Sequence, residues 1–353
     1  MTSFTFNAIK VMGLASVASV ISILWAPLLI NFLYKHKLWK KTSGKKAITG
    51  EDAVVFNSLH KEREVGAPRM GGLLIWFTVL LVIVLFFIIS LIFPDSTLAQ
   101  FNFLSRRETW LPLFALVSAS LLGLVDDILQ VSEKGKYLGG GLSLKKRFFM
   151  VVLIGLIGGV WFYQKLGWDF ITVPLMGQLS IGWLYVPLFV LVTLACWSGG
   201  IIDGLDGLSG GAFASIFGAF TIIAFSQGNI DLAAFCAVIL GALFSFLWFN
   251  IPPARFYMSE TGSLGLTVTI AVVAFLTDSV FVLPIIAGLL LLETGSIILQ
   301  ILSKKIRKKK IFLSTPIHHH FEAIGWPAHK VVMRAWIVGI VLAIIGVAVR
   351  LLK

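Results

Sequence analysis

A chain of 353 residues that is 58% hydrophobic and only 13% charged, with mean hydropathy +0.95, carries too few polar side chains to cover a water-soluble globule. Backbone in hydrocarbon has to be hydrogen-bonded internally. The apolar runs are long, about 20 residues, rather than alternating strands of about ten, so an all-α polytopic membrane bundle is predicted and a barrel is not. The formal charge of +12 would suit a nucleic-acid binder, but membrane proteins collect Lys and Arg in cytoplasmic loops for another reason, and no nucleic-acid partner is expected.

Ten spans are predicted in chain order, at 11–34, 70–93, 110–127, 144–163, 182–197, 208–225, 232–249, 263–277, 281–302 and 331–352. The first run lacks a small-residue cleavage site and reads as a retained span, not a signal peptide. No internal repeat or soluble domain interrupts 1–353, which reads as one transmembrane domain. Cys196 and Cys236 both fall inside apolar runs, which argues against a disulfide framework or a cysteine metal site.

The connections alternate in charge. Segments 35–69, 130–147, 250–262 and 303–330, with Arg334, hold 23 of the 29 basic residues. The opposite side keeps Lys10, Arg106, Arg107, Lys165, Arg350 and Lys353. The positive-inside rule makes the first side cytoplasmic and puts both termini outside, which predicts a multi-pass protein of the inner (plasma) membrane. The external connections 94–109 and 164–181 carry few charges, and 226–231 and 278–280 read as tight turns.

Polar residues with chemical potential all fall on the cytoplasmic side. Ser198–Gly211 sets Asp203 and Asp206 among glycines, which allow close backbone approach to a ligand; the plainer reading is a solvated Asp-Gly turn. Asp126 and Asp127 end the third span, where they repel each other and oppose the negative end of the helix, so they need a compensating cation unless they are simply hydrated. Asn250 precedes Pro252-Pro253, and Ser259-Glu260-Thr261-Gly262-Ser263 opens the eighth span. Free N–H groups there suit an anion, with Glu260 beside them for Mg²⁺; an ordinary helix cap explains the same letters. His318, His319 and His320 lack the i, i+4 spacing of a zinc site and suit phosphate or sugar contacts, or an exposed polar loop. Glu293 lies inside the ninth span, where an acid is costly and faces the bundle interior.

A wet cleft lined by carboxylates, with Lys and His around it and an apolar wall beside it, fits a Mg²⁺-held diphosphate and a lipid chain. Phosphoryl transfer from a soluble nucleotide donor to a lipid phosphate is the expectation. An ion-coupled transporter is the main alternative, but its acids belong near mid-membrane; an inert scaffold leaves the converging acids unexplained.

Gly66-Ala-Pro-Arg-Met-Gly-Gly72, Gly123-Leu-Val-Asp-Asp127, Asp203-Gly-Leu-Asp-Gly-Leu208, 250–263 and Pro316-Ile-His-His-His-Phe-Glu322 with Gly325-Trp-Pro327 give the chain a resemblance over nearly its whole length. It resembles the polyprenyl-phosphate N-acetylhexosamine-1-phosphate transferases (glycosyltransferase family 4 type), and within them the phospho-N-acetylmuramoyl-pentapeptide transferase branch of peptidoglycan synthesis. The resemblance implies Asp126, Asp127 and Asp203 as catalytic acids, and Glu260 with Asp203 at Mg²⁺. It implies Gly204, Leu205, Asp206 and Asn250 around uridine, with Lys134, His318, His319 and His320 by the donor. It further implies UDP-MurNAc-pentapeptide and undecaprenyl phosphate as substrates in the lipid bilayer, lipid I and UMP as products, and leaves a homodimer open. A UDP-GlcNAc donor is the nearest alternative within the family. The chain departs from the family pattern in Gln130 for Lys, Trp197 and Gly200 for two Asn, Glu260 for Asp, Glu64 for a basic residue, and Arg69 for Thr.

Overall fold

The computed structural model describes residues 2–41, 66–105, 108–132 and 141–352. Eight long helices come first: α1 (Ser3–Lys35), α2 (Leu73–Ile92), α3 (Trp110–Val131), α4 (Leu144–Lys165), α5 (Tyr185–Ser198), α6 (Leu208–Ser226), α7 (Ile230–Asn250) and α8 (Ser259–Leu276). Then follow α9 (Leu283–Ile286), α10 (Gly288–Ile306), α11 (Ile317–Ala323) and α12 (Ala328–Leu351). Among the described residues nine helical segments are long and apolar enough to cross a membrane, and the fold is an all-α polytopic membrane bundle. The segment expected as the ninth span, 281–302, is covered by two helices that meet at Ala287. The longer of them, α10, carries Glu293, Lys304 and Lys305 and is not among the nine.

Two local features depart from the sequence expectation. The connection 164–181, expected outside, contains an antiparallel hairpin, β1 (Phe170–Val173) against β2 (Gly177–Ser180), with Phe170 opposite Ser180. Thr172 N–H donates to Asp278 Oδ1 at 3.0 Å, which ties the hairpin to the turn after α8. Helix α3 runs on past Asp127 to Val131, so the acidic pair sits within its last turns.

Helix α8 is the centre of the bundle: every one of its residues except Glu260 is buried. Its sequence is mixed in small and polar residues all round, which suits burial among other helices better than exposure to lipid. The hydroxyls of Thr267 and Thr269 donate to the carbonyls of Ser263 and Gly265 one turn back, so they bring no unmet polar group into the core. Helix α3 lies along α8 at backbone contact: a Cβ on Gly123 would run into the Glu260 carbonyl, and one on Gly265 into Ser120 Oγ. At the start of α2, Gly72 meets the backbone of Gly262 in the same way.

Polar contacts collect at the two ends of the bundle. At one, Lys10 Nζ donates to Asp231 Oδ1 and to the Asn102 carbonyl, both at 2.9 Å, and Glu108 accepts from Leu232 N–H at 3.1 Å. Burial holds the Glu108 carboxyl above its ordinary pKa, with the Leu232 N–H acting against that shift. At the other end the basic connections meet: Arg69 N–H donates to the Leu38 carbonyl at 2.8 Å, and Tyr257 N–H to the Pro68 carbonyl at 2.9 Å.

Candidate active site

A helix begins with backbone N–H groups that have no partner inside it. At α8 they are taken by carboxylates from distant segments. Asp203 Oδ2 accepts from Ser259 N–H at 2.8 Å, while Asp127 Oδ2 accepts from Thr261 N–H at 2.9 Å and Thr261 Oγ1 at 2.6 Å. The turn that the sequence offered to a substrate anion therefore holds two of the chain's own acids. The positive end of the α8 dipole is also part of the compensation that Asp127 requires.

Two guanidiniums supply the rest. Arg147, in the first turn of α4, places Nη1 2.6 Å from Glu260 Oε1 and 3.8 Å from Asp126 Oδ2. Arg69 Nε lies 3.2 Å from Ser259 Oγ and 3.6 Å from Asp127 Oδ1. Asp126 also accepts from Leu142 N–H at 2.5 Å and from Gln130 Nε2 at 2.6 Å, so Gln130 still serves the acidic pair. Asp126, Asp127, Asp203 and Glu260 thus form one linked network, although they come from three stretches of sequence. Asp126 and Asp127 are 0% exposed.

Among the described residues the network sets four acids beside two guanidiniums. Asp127 Oδ1 is buried with no hydrogen-bond partner among the described residues. No group of three His, Cys, Asp or Glu side chains among those residues converges as a ready-made metal centre. Asp127 Oδ1, in ion-pair range of Arg69 at 3.6 Å, and the Glu260 carboxylate are nevertheless the protein share that Mg²⁺ takes when substrate phosphates and water complete its shell, so the residues present fit the ion. Asp203 spends its oxygens on Ser209 Oγ at 2.7 Å and on Ser259 N–H.

The 203–207 loop is clamped from every side. Asp206 Oδ2 accepts from Ala254 N–H at 3.2 Å; Asn250 Oδ1 accepts from Gly207 N–H at 2.9 Å, and its Nδ2 donates to the Phe256 carbonyl at 2.8 Å. Trp336 Nε1 donates to the Gly207 carbonyl at 3.0 Å, and Leu205 is buried. Asn250, expected at the uridine, here fixes the loop that is expected to line it.

The histidines divide. His318 Nδ1 lies 2.8 Å from Glu293 Oε2, and its ring abuts Gly204; His319 Nδ1 lies 2.7 Å from Glu322 Oε2. His320 Nδ1 accepts from Leu313 N–H at 3.3 Å. Lys134 and Glu64 lie outside the described residues. A Cβ on Gly204 would collide with His318 Nε2. Gly204→Ala is accordingly expected to displace the ring and raise the donor KM by about tenfold, with insertion into the membrane preserved, as read from steady-state kinetics of the purified protein.

Sequence reasoning missed Arg147 as a site residue. It is one of five basic residues in 130–147, and nothing in the letters separates it from a positive-inside anchor. The partner of Glu293 was equally out of reach, because His318 is 25 residues away on another helix.

Residues 109–278 match the family model described as glycosyl transferase family 4. Over most of its length the chain is similar to proteins named phospho-N-acetylmuramoyl-pentapeptide-transferase. That of Shouchella clausii is 36% identical over 334 residues, covering 92% of this chain and 93% of the relative. Those of Geobacillus sp. (strain WCH70) and Anoxybacillus flavithermus are 33% and 32% identical, covering 97% and 95% of this chain and 98% and 96% of theirs.

Proposed function

Because this chain belongs to the phospho-N-acetylmuramoyl-pentapeptide-transferase family, we propose that it transfers phospho-MurNAc-pentapeptide from its UDP-linked donor to undecaprenyl phosphate, giving lipid I and UMP. The single observation that carries the reading is the network of Asp126, Asp127, Asp203 and Glu260 at the basic end of the bundle, with one carboxylate oxygen that takes no hydrogen bond among the described residues. The 23 basic residues on that side support a pocket that opens to the cytoplasm from a multi-pass protein of the cell membrane.

In the reaction an oxygen of the lipid phosphate attacks the donor's β-phosphorus. The new P–O bond forms as the bond to the bridging oxygen breaks, and that oxygen leaves on UMP. Asp127, through its open oxygen, and Glu260 would hold Mg²⁺, with Asp203 beside them, and the ion would neutralise the diphosphate. Arg147 can exchange Glu260 for a phosphate oxygen, since guanidinium forks bind both groups equally well in geometry. Asp206 and Asn250 hold the loop beside which uridine is to bind, while Arg69 keeps Asp127 and Ser259 in register.

The test is purified protein with undecaprenyl phosphate and a panel of UDP-sugars, with UMP and lipid-linked product measured with and without Mg²⁺. UMP equimolar with product is expected from UDP-MurNAc-pentapeptide, and only with Mg²⁺ present. Release from UDP-GlcNAc alone would move the protein to another donor, and solute flux in proteoliposomes without UMP would replace the transferase with a transporter.

A further inference from the structure

Glu293 is the acid that the transfer chemistry leaves unused. It sits in α10 with 5% of its surface exposed, and its Oε2 lies 2.8 Å from His318 Nδ1. The Glu293 contact fixes Nδ1 and with it the direction in which Nε2, on the far edge of the ring, points. The ring is held from a second direction by His319, whose ring packs edge-on at 4.1 Å. His318 is 2% exposed, and its Nε2 has no hydrogen-bond partner among the described residues. That nitrogen faces the Cα of Gly204, closely enough that a Cβ there would displace the ring.

A ring nitrogen fixed by a buried carboxylate, buried itself and aimed at the loop between Asp203 and Asp206, lacks the partner that a buried polar atom requires. We propose that Glu293 is a positioning residue for the nucleotide: it sets the angle of His318, so that Nε2 hydrogen-bonds the uridine nucleotide bound at the 203–206 loop. This rests on the transferase reading for the identity of the ligand. It goes beyond that reading in assigning a role to Glu293.

The probe is UMP binding to the purified full-length protein by calorimetry, with kcat and KM for the donor measured in parallel. Glu293→Leu is expected to weaken UMP about tenfold and to raise the donor KM by about as much, with kcat within about threefold of wild type. Glu293→Gln, whose amide still reaches Nδ1, returns binding to within about threefold of wild type, whereas Glu293→Asp, shorter by a methylene, does not. His318→Ala is expected to weaken UMP about tenfold, and adding Glu293→Leu to it costs nothing more. Should Glu293→Leu lose membrane insertion, the comparison of Gln with Asp carries the same test. The proposal is overturned if Glu293→Leu and Glu293→Asp bind UMP like wild type, if Gln fails to rescue a folded protein, or if the two losses multiply in the double variant. A wild-type protein that binds no UMP would overturn the transferase reading first, and this assignment with it.

Discussion

Asp127→Asn is expected to lower UMP release by about 10²-fold or more while the protein still inserts and folds. The amide oxygen of Asn retains the two hydrogen bonds from Thr261, so the start of α8 keeps its anchor. What changes is the other side of the group. An NH₂ replaces the open oxygen 3.6 Å from Arg69, which removes a negative charge and leaves a donor facing a cation. The loss therefore belongs in kcat for transfer rather than in the amount of folded protein. Full activity in Asp127→Asn would remove the acid from the chemistry and leave it as a helix cap.

Gly123→Val is expected to damage stability and turnover together. Gly123 lies one turn before Asp127 on the same face of α3, and its missing side chain is what lets α3 touch the Glu260 backbone. A branched side chain there has to push the first turn of α8 away, which overpacks the contact at a cost of about 1–3 kcal/mol. The same displacement pulls Thr261 from Asp127 and Glu260 from Arg147, and misplacement by about 1 Å is enough for about 10²-fold in rate. Thermal unfolding and UMP release on the same preparation check both effects. Gly295→Ala is the control: a Cβ there meets nothing within 4 Å, and wild-type values are expected.

Both expectations depend on contacts of very different visibility in the amino-acid letters. The bundle itself was legible, because lipid demands long apolar helices, and the charge of the loops sorted Asp126, Asp127, Asp203 and Glu260 to one side before any coordinates. Where α10 begins was not, since 281–292 is apolar throughout and the break at Ala287 has no signal beyond Pro284. The acidic pair announced that it needed a cation, but the identity of that cation was set by tertiary packing: Arg147 comes from the first turn of α4, and Arg69 from the segment before α2. Asn250 illustrates the reverse problem. Its residue type and position suit a nucleotide contact, yet both ends of its amide are spent on Gly207 and Phe256 backbone. A sequence shows which groups have chemical capacity; the fold decides how much of it remains free.

Sealed membrane vesicles of known orientation, supplied with UDP-MurNAc-pentapeptide only on the outside, give the most direct test of an acid pocket that works at the inner leaflet. With the cytoplasmic face outward, UMP is expected from the wild type and about 10²-fold less from Asp127→Asn. Equal release from vesicles of the opposite orientation, or from Asp127→Asn, would contradict it.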